Sequence, residues 1–120
     1  ELARLLQTLD VFVIPSHQEG LCIAALEAMA CATPVVSTRC GGPEQYVLNG
    51  RTGQLVASDP EALASAIASI AADRPRRERL AQGALQWISD NASTTAARAT
   101  FRRQLGATWP HLAISQPEAL

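Results

Sequence analysis

The chain has 120 residues, a length typical of one domain, and its formal net charge of -1 excludes strong electrostatic attraction to nucleic acid or to an anionic membrane. Its three cysteines cannot all pair, form no CxxC motif and stand at no metal-ligand spacing from either histidine. We therefore expect reduced thiols in a cytoplasmic protein.

The first third of the chain alternates helix and strand patterns. Leucines at helical spacing predict a helix over 1–9, and the apolar run at 11–14 predicts a buried strand ended by Pro15. The almost wholly apolar segment 21–32 predicts a second helix. The next strand is predicted over 34–38.

Turn-forming residues and further helices follow. Residues 39–43 contain Gly-Gly and predict a loop, residues 43–47 predict a helical turn, and residues 54–57 predict a third strand. The rest of the chain is predicted to be helical up to Pro110. The three remaining helices are predicted to begin at Asp59, Pro75 and Ser93.

Alternating helices and short apolar strands are typical of an α/β fold with a parallel sheet covered on both faces. Three strands make a small sheet, and no strand precedes the first helix. We therefore interpret residues 1–90 as the second half of a Rossmann-like domain whose first strands lie upstream. Residues 91–120 are interpreted as a C-terminal helix and tail. The arginine-rich run 74–79 has no aromatic neighbours and is interpreted as a solvated helix face.

Ligands of open α/β sheets bind beyond the carboxyl ends of the strands. Two glycine-containing loops, 15–20 and 38–43, stand at such ends. The first loop enters a helix, whose unpaired N–H groups and positive dipole end suit a phosphate. We expect Gly20, Leu21 and Cys22 to supply those amides.

Glu27 is the only charged residue of segment 21–32. A lone Glu commonly marks a solvent face, but this helix has no other polar position that would form one. A buried carboxylate is costly without hydrogen bonds, so we expect Glu27 to be buried among aliphatic neighbours and to bind a ligand. It lies seven residues after Gly20, a helical rise of about 10 Å, which matches the reach from a phosphate to its ribose. Glu19 needs no ligand, because an acid before a helix complements the dipole.

The segment "DVFVIPSHQEGLCIAALEAMACATPVVSTRCGGPEQYVLNGRTGQLV" resembles the donor-binding segment of the family 4 (group 1) glycosyltransferases. These are retaining enzymes of the GT-B fold, which has two Rossmann domains. Glu19 and Glu27 match the E-x7-E motif of that family. The PS, EG, EAMA, PVV, GG-x-E and G-x-LV elements fall in register, and the resemblance covers residues 1–90.

The resemblance implies a nucleotide-sugar donor, with Glu27 on the ribose hydroxyls and Glu19 beside the transferred sugar as the catalytic residue. The amides of Gly20, Leu21 and Cys22 would face the diphosphate or the sugar. Transfer would proceed with retention by front-face attack, with the diphosphate held by positive charge and not by a metal. The acceptor would be a sugar, a lipid or a small molecule.

Some parts of the family pattern differ or lie outside this chain. Cys22 stands where the family commonly has glycine, and Ala32 also replaces a glycine. The Arg/Lys pair that clamps the diphosphate and the acceptor-binding N-terminal domain would lie upstream in the same protein. The missing domain could also bring the protein to a membrane. The chain alone is therefore expected to be inactive.

Two alternatives remain open from the sequence. One is a GT-B relative such as a sugar-nucleotide epimerase or a phosphorylase, although these lack the E-x7-E register. The other is a non-catalytic nucleotide-binding module that has kept the fold.

Overall fold

A computed structural model describes residues 1–108 of the chain. Three parallel strands, β1 (Phe12–Ile14), β2 (Val35–Thr38) and β3 (Gly53–Val56), form one sheet in the order β1-β2-β3. Val35 of β2 lies opposite Phe12 on one side and Gly53 on the other. The predicted α/β class with a parallel sheet is confirmed. Of the three strands, only the central β2 is buried along its whole length.

The helices begin close to the positions that the capping residues predict. Asp59 accepts a hydrogen bond from the Ala62 amide at 2.8 Å, and Ser93 Oγ accepts one from the Ala96 amide at 3.1 Å. The α-helices are α1 (Leu2–Gln7), α2 (Ile23–Ala30), α3 (Pro60–Ala72), α4 (Arg74–Asn91) and α5 (Thr94–Thr108), and a 3-10 turn covers Gly42–Gln45.

The chain divides into two compact units, one spanning Glu1–Ile88 and the other beginning at Ser89. The sheet, both predicted ligand loops and both candidate glutamates belong to the first unit. None of the helices within residues 1–108 combines the length and the apolar character needed to cross a membrane. The tail predicted to begin at Pro110 lies outside the described residues.

The first unit buries two apolar clusters, one on each face of the sheet. Consecutive strand residues point to opposite faces, so Val35 joins one cluster and Val36 the other. α2 packs on the Val35 side and α3 on the Val36 side. α4 contributes to both, with Leu80 in the Val36 cluster and Ala84 in the Val35 cluster. Each fully buried aliphatic side chain stabilises the fold by about 1.5–3 kcal/mol relative to exposure.

The prediction that the arginine-rich run is a solvated face is wrong for Arg76 and Arg77. Arg76 Nη2 donates to Gln54 Oε1 in β3 at 2.7 Å. Arg77 Nη1 donates to the Ala71 carbonyl at 2.6 Å, at the end of α3 where carbonyls lack helical partners. Arg77 Nε also lies 3.6 Å from Asp10 Oδ1. These arginines therefore join α4 to β3, α3 and the start of β1.

Large apolar side chains of α1 and of the entry to α2 lie at the surface. Leu5 of α1 is 59% exposed and Ile23 of α2 is 64% exposed. The exposed large apolar residues of 1–9 and 21–23 are Leu2, Leu5, Leu9, Leu21 and Ile23. The first unit therefore presents apolar surface that no other described residue covers.

Gly83 lies inside α4, where alanine would ordinarily stabilise a helix by about 1 kcal/mol. A Cβ atom at this position would lie 1.8 Å from the Arg51 carbonyl oxygen. We therefore predict that Gly83→Ala destabilises the protein by about 2 kcal/mol or more in chemical denaturation, because α4 must move away from the turn at Arg51. The exposed neighbour Gln82 provides a control, since Gln82→Ala should stay within about 0.5 kcal/mol of wild type. A stabilising Gly83→Ala would contradict the close approach.

Candidate functional site at the carboxyl edge of the sheet

The loops that follow β1 and β2 meet at Glu19. The Glu19 amide donates to the Cys40 carbonyl at 2.7 Å, and the Gly42 amide donates to the Glu19 carbonyl at 3.3 Å. These two bonds form a parallel bridge between Glu19 and Gly41 that continues the sheet past its strands. The backbone of Glu19 is therefore fixed at the edge where α/β sheets bind ligands.

This meeting of backbones requires the glycine pair. Gly41 has a φ of 108°, a conformation that L side chains rarely adopt, and a Cβ there would lie 2.9 Å from the Glu19 carbonyl oxygen. A Cβ on Gly42 would lie 1.7 Å from the Gly20 carbonyl oxygen. The predicted Gly-Gly loop is therefore where the backbone of the loop after β2 contacts the backbone of the loop after β1.

The Glu19 side chain is partly buried and has one hydrogen-bond partner among residues 1–108. Ser16 Oγ donates to Glu19 Oε1 at 2.6 Å, and Thr38 Oγ1 donates to the Ser16 carbonyl. A carboxylate offers about four lone-pair sites, so acceptor capacity remains for ligand hydroxyls. Sequence reasoning missed Ser16 and Thr38, although both stand in the predicted loops.

The structure corrects the predicted start of the second helix. α2 begins at Ile23, and Cys22 is its N-cap with a left-handed backbone at φ 56°. Gly20 therefore lies outside the helix, and the argument that places it two helical turns from Glu27 is wrong. The left-handed backbone also explains why a glycine suits position 22, where this chain carries a cysteine.

The amides predicted to bind a phosphate have no partner in the described chain. Within residues 1–108, no acceptor is found for the N–H groups of Gly20, Leu21 or Cys22. Gly20 and Leu21 are exposed, and Cys22 is partly buried. These donors are therefore available to a ligand.

Tyr46, which sequence reasoning missed, supports this turn from below. Its hydroxyl proton is shared between the carbonyl oxygens of Leu21, at 2.7 Å, and Cys22, at 3.2 Å. The side chain is 1% exposed, and its ring centroid lies 5.9 Å from that of Trp87. Burial, and secondarily Cys22, Cys40 and Glu19, raise the pKa of Tyr46 above its usual range, so the hydroxyl keeps its proton. Its signal in the sequence is that the single tyrosine of the chain stands inside the helical turn predicted at 43–47.

The prediction that Glu27 is buried is wrong. Glu27 is exposed on α2, and it has no hydrogen bond or ion pair with any residue of 1–108. The buried side of α2 is formed by Ala25, Ala28 and Met29. The exposed side consists of Ile23, Ala24, Glu27 and Ala30. Glu27 is therefore the single charge on an otherwise apolar exposed face, so the argument that this helix lacks a polar face still applies.

The remaining polar groups at this edge are exposed. His17 Nδ1 lies 3.0 Å from Ser58 Oγ, which links the loop after β1 to the residues after β3. Arg39 is exposed and lies 3.9 Å from Glu44. Arg51 is also exposed, but it precedes β3 and therefore lies at the opposite edge of the sheet. Among residues 1–108, no group of three His, Cys, Asp or Glu side chains could hold a metal ion.

A separate cleft of about 290 Å³ lies at the other end of the strands. Asp10 and Pro34, which immediately precede β1 and β2, line it together with Arg74 and Arg77 of α4. Neither Glu19 nor Glu27 takes part in it. The candidate site is therefore an open edge of the described chain, and this cleft is not part of it.

Comparisons with known proteins identify the family of this chain. Residues 1–87 match the model of the family described as glycosyl transferases, group 1. The D-inositol 3-phosphate glycosyltransferase of Stackebrandtia nassauensis is 43% identical over 86 residues, which is 71% of this chain and 19% of that protein. The glycogen synthase of Mycobacterium tuberculosis strain H37Rv is 40% identical over 109 residues, or 89% of this chain and 26% of that protein.

A solved structure agrees in fold. The sucrose-phosphate synthase of Thermosynechococcus elongatus superposes with a TM-score of 0.77 at 34% identity. The match covers 89% of this chain and 28% of that one. The chain therefore spans about a fifth to a quarter of the length of the curated relatives it matches.

The glycine pair allows a direct test of the loop contact. We predict that Gly42→Ala destabilises the protein by about 2 kcal/mol or more, because its Cβ would overlap the Gly20 carbonyl. Gly20→Ala is the matched control, since nothing lies within 4 Å of a Cβ at that position. It should leave stability unchanged or raise it by about 0.4–1 kcal/mol. If thermal and chemical denaturation gave the same loss of stability for Gly42→Ala and Gly20→Ala, this description of the contact would be refuted.

Proposed function

The chain belongs to the group 1 glycosyl transferases, and we propose that the protein containing it transfers a sugar from a nucleotide-sugar donor with retention of configuration. The donor would bind at the carboxyl edge of the sheet. The acceptor is a sugar, a lipid or a small molecule and binds mainly to parts of the protein outside these residues. The chemistry needs no metal or other cofactor.

The position of Glu19 is the observation that carries this proposal. Its backbone joins the two ligand-side loops, and its side chain is oriented by Ser16 while acceptor capacity remains. A carboxylate held in this way can accept hydrogen bonds from the hydroxyls of the transferred sugar and orient the ring for reaction. Glu19 is therefore the proposed catalytic residue beside the reacting carbon.

The unpaired amides that follow Glu19 supply the second part of the site. The N–H groups of Gly20, Leu21 and Cys22 precede α2, where the helix dipole favours negative charge. Hydrogen bonds from these fixed donors would stabilise the charge that develops on the diphosphate as the glycosidic bond breaks. The incoming hydroxyl would attack from the face that the leaving group vacates. Cations from outside the described residues would complete the diphosphate site.

Glu27 is assigned to the ribose on different grounds from those of the sequence argument. Its exposure means that burial no longer requires a ligand for it. The assignment is supported by the E-x7-E register in a chain of this family and by the isolation of its charge on an apolar face. Two adjacent ribose hydroxyls could both donate to its carboxylate.

Glu27→Gln is predicted to weaken nucleotide binding by about tenfold or more, because a charged acceptor is lost while the side-chain volume is kept. The measurement is thermal shift followed by calorimetric titration of the full-length protein with UDP-, GDP- and ADP-sugars. The donor that binds stabilises the wild type by mass action. Glu61, an exposed carboxylate on α3, is the control: Glu61→Gln should leave affinity unchanged. Equal affinities for all three proteins would remove Glu27 from the site.

Glu19→Ala is predicted to fold and to bind nucleotide, while its kcat for transfer falls by about 100-fold or more. Steady-state rates with the donor from the binding screen measure this change, and circular dichroism checks the fold. If Glu19→Ala and Glu27→Gln both leave transfer and donor hydrolysis at wild-type rates, the catalytic proposal fails. A non-catalytic nucleotide-binding module would then be the better assignment.

A further inference from the structure

The turn at Leu21 and Cys22 is held by a residue that the family motif does not include. Cys22 has a left-handed backbone, which costs a non-glycine residue about 1–2 kcal/mol. The buried Tyr46 hydroxyl shares its one proton between the two carbonyls of this turn, those of Leu21 and Cys22. The hydrogen bonds therefore stabilise a conformation that the residue at position 22 disfavours.

The same bonds set the direction of two amides. A trans peptide unit holds its carbonyl and its N–H on opposite sides. Because the Leu21 and Cys22 carbonyls point to the buried hydroxyl, the N–H groups of the same peptide units, those of Cys22 and Ile23, point away from it. The two donors therefore point away from the buried side of the turn and have no partner among residues 1–108.

We propose that Tyr46 is a positioning residue for the donor, which holds the left-handed turn at Cys22 so that the Cys22 and Ile23 amides face the diphosphate. This inference rests on the proposed function, since it assumes a diphosphate at the sheet edge. It adds Ile23 to the binding amides and gives the buried tyrosine a role in affinity. The family commonly has a glycine where this chain has Cys22. The Tyr46 hydroxyl compensates for the strain of the left-handed backbone at Cys22.

Tyr46→Phe tests the proposal because it removes the hydroxyl and keeps the ring against Trp87. The probes are UDP, GDP and ADP, titrated calorimetrically into the full-length protein at a temperature where every variant is folded. We expect the Kd of the nucleotide that binds wild type to rise about tenfold. Unchanged affinity in Tyr46→Phe would overturn the inference and leave the proposed function intact. If none of the three nucleotides binds wild type, the proposed function and this inference both fail.

Thr33→Val is the matched control for a general loss of stability. Thr33 is 1% exposed, and its hydroxyl donates to the Leu6 carbonyl at 2.8 Å, before β2 and away from the candidate edge. Removing this hydroxyl deletes a buried bond of the same kind. Its nucleotide affinity should stay within twofold of wild type. A loss equal to that of Tyr46→Phe would show that affinity follows stability alone, and it would overturn the positioning role.

A double-mutant cycle with Cys22→Gly tests the mechanism. Glycine adopts the left-handed conformation without the penalty, so the hydroxyl should matter less in that background. We expect Tyr46→Phe to raise Kd less than about threefold when Cys22 is already glycine. The same loss in both backgrounds would refute the proposed action through this turn.

Cys22→Val provides a test in which Tyr46 is unchanged. A β-branched residue tolerates a positive φ poorly, so this variant should weaken nucleotide binding as Tyr46→Phe does. Wild-type affinity in Cys22→Val would overturn the inference even if Tyr46→Phe proved too unstable to measure.

Discussion

The contact between the backbones of two loops is the constraint on which the candidate site depends. Glu19 is held by Cys40 and Gly42 through main-chain hydrogen bonds, and this is possible only because position 42 carries no Cβ. A side chain can change rotamer at small cost, whereas a main-chain bridge moves only if its loop moves. The geometry of the site is therefore set by the sheet, because the Glu19–Gly41 bridge continues the pairing of β1 with β2 beyond the ends of these strands. The carboxylate of Glu19, the proposed catalytic group, is placed by its backbone and oriented by Ser16.

A second level of support comes from the core on the α2 side of the sheet. Tyr46 packs with Met29 and Val35 in that cluster, and its hydroxyl ends at the carbonyls that open α2. The packing of Tyr46 thus places its hydroxyl against the buried side of the turn at Leu21 and Cys22. The outward amides depend on it without any contact between the tyrosine and a ligand. In the proposed site, the Tyr46 hydroxyl therefore links the stability of this turn to donor binding.

The sequence predicted the architecture well because its strands are short, apolar and bounded by turn residues. It placed the three strands to within one residue at either end and identified the caps at Asp59 and Ser93. It failed where a local rule was broken. A left-handed backbone at a cysteine cannot be recognised from composition, so the predicted start of α2 lies two residues before the observed one. The prediction that Glu27 is buried was also wrong, because the apolar pattern of a helix does not show which of its faces packs against the rest of the fold. Tyr46 was missed because its partners lie 24 and 25 residues away.

The uncovered leucines of α1 and the exposed Ile23 affect how the chain behaves in solution. An apolar surface of this kind favours contact with another molecule over contact with water. Dilute and concentrated samples of residues 1–120 should therefore differ, because a second copy can cover Leu5 or Ile23. Light scattering measured against concentration thus reports on this exposed surface as well as on the fold.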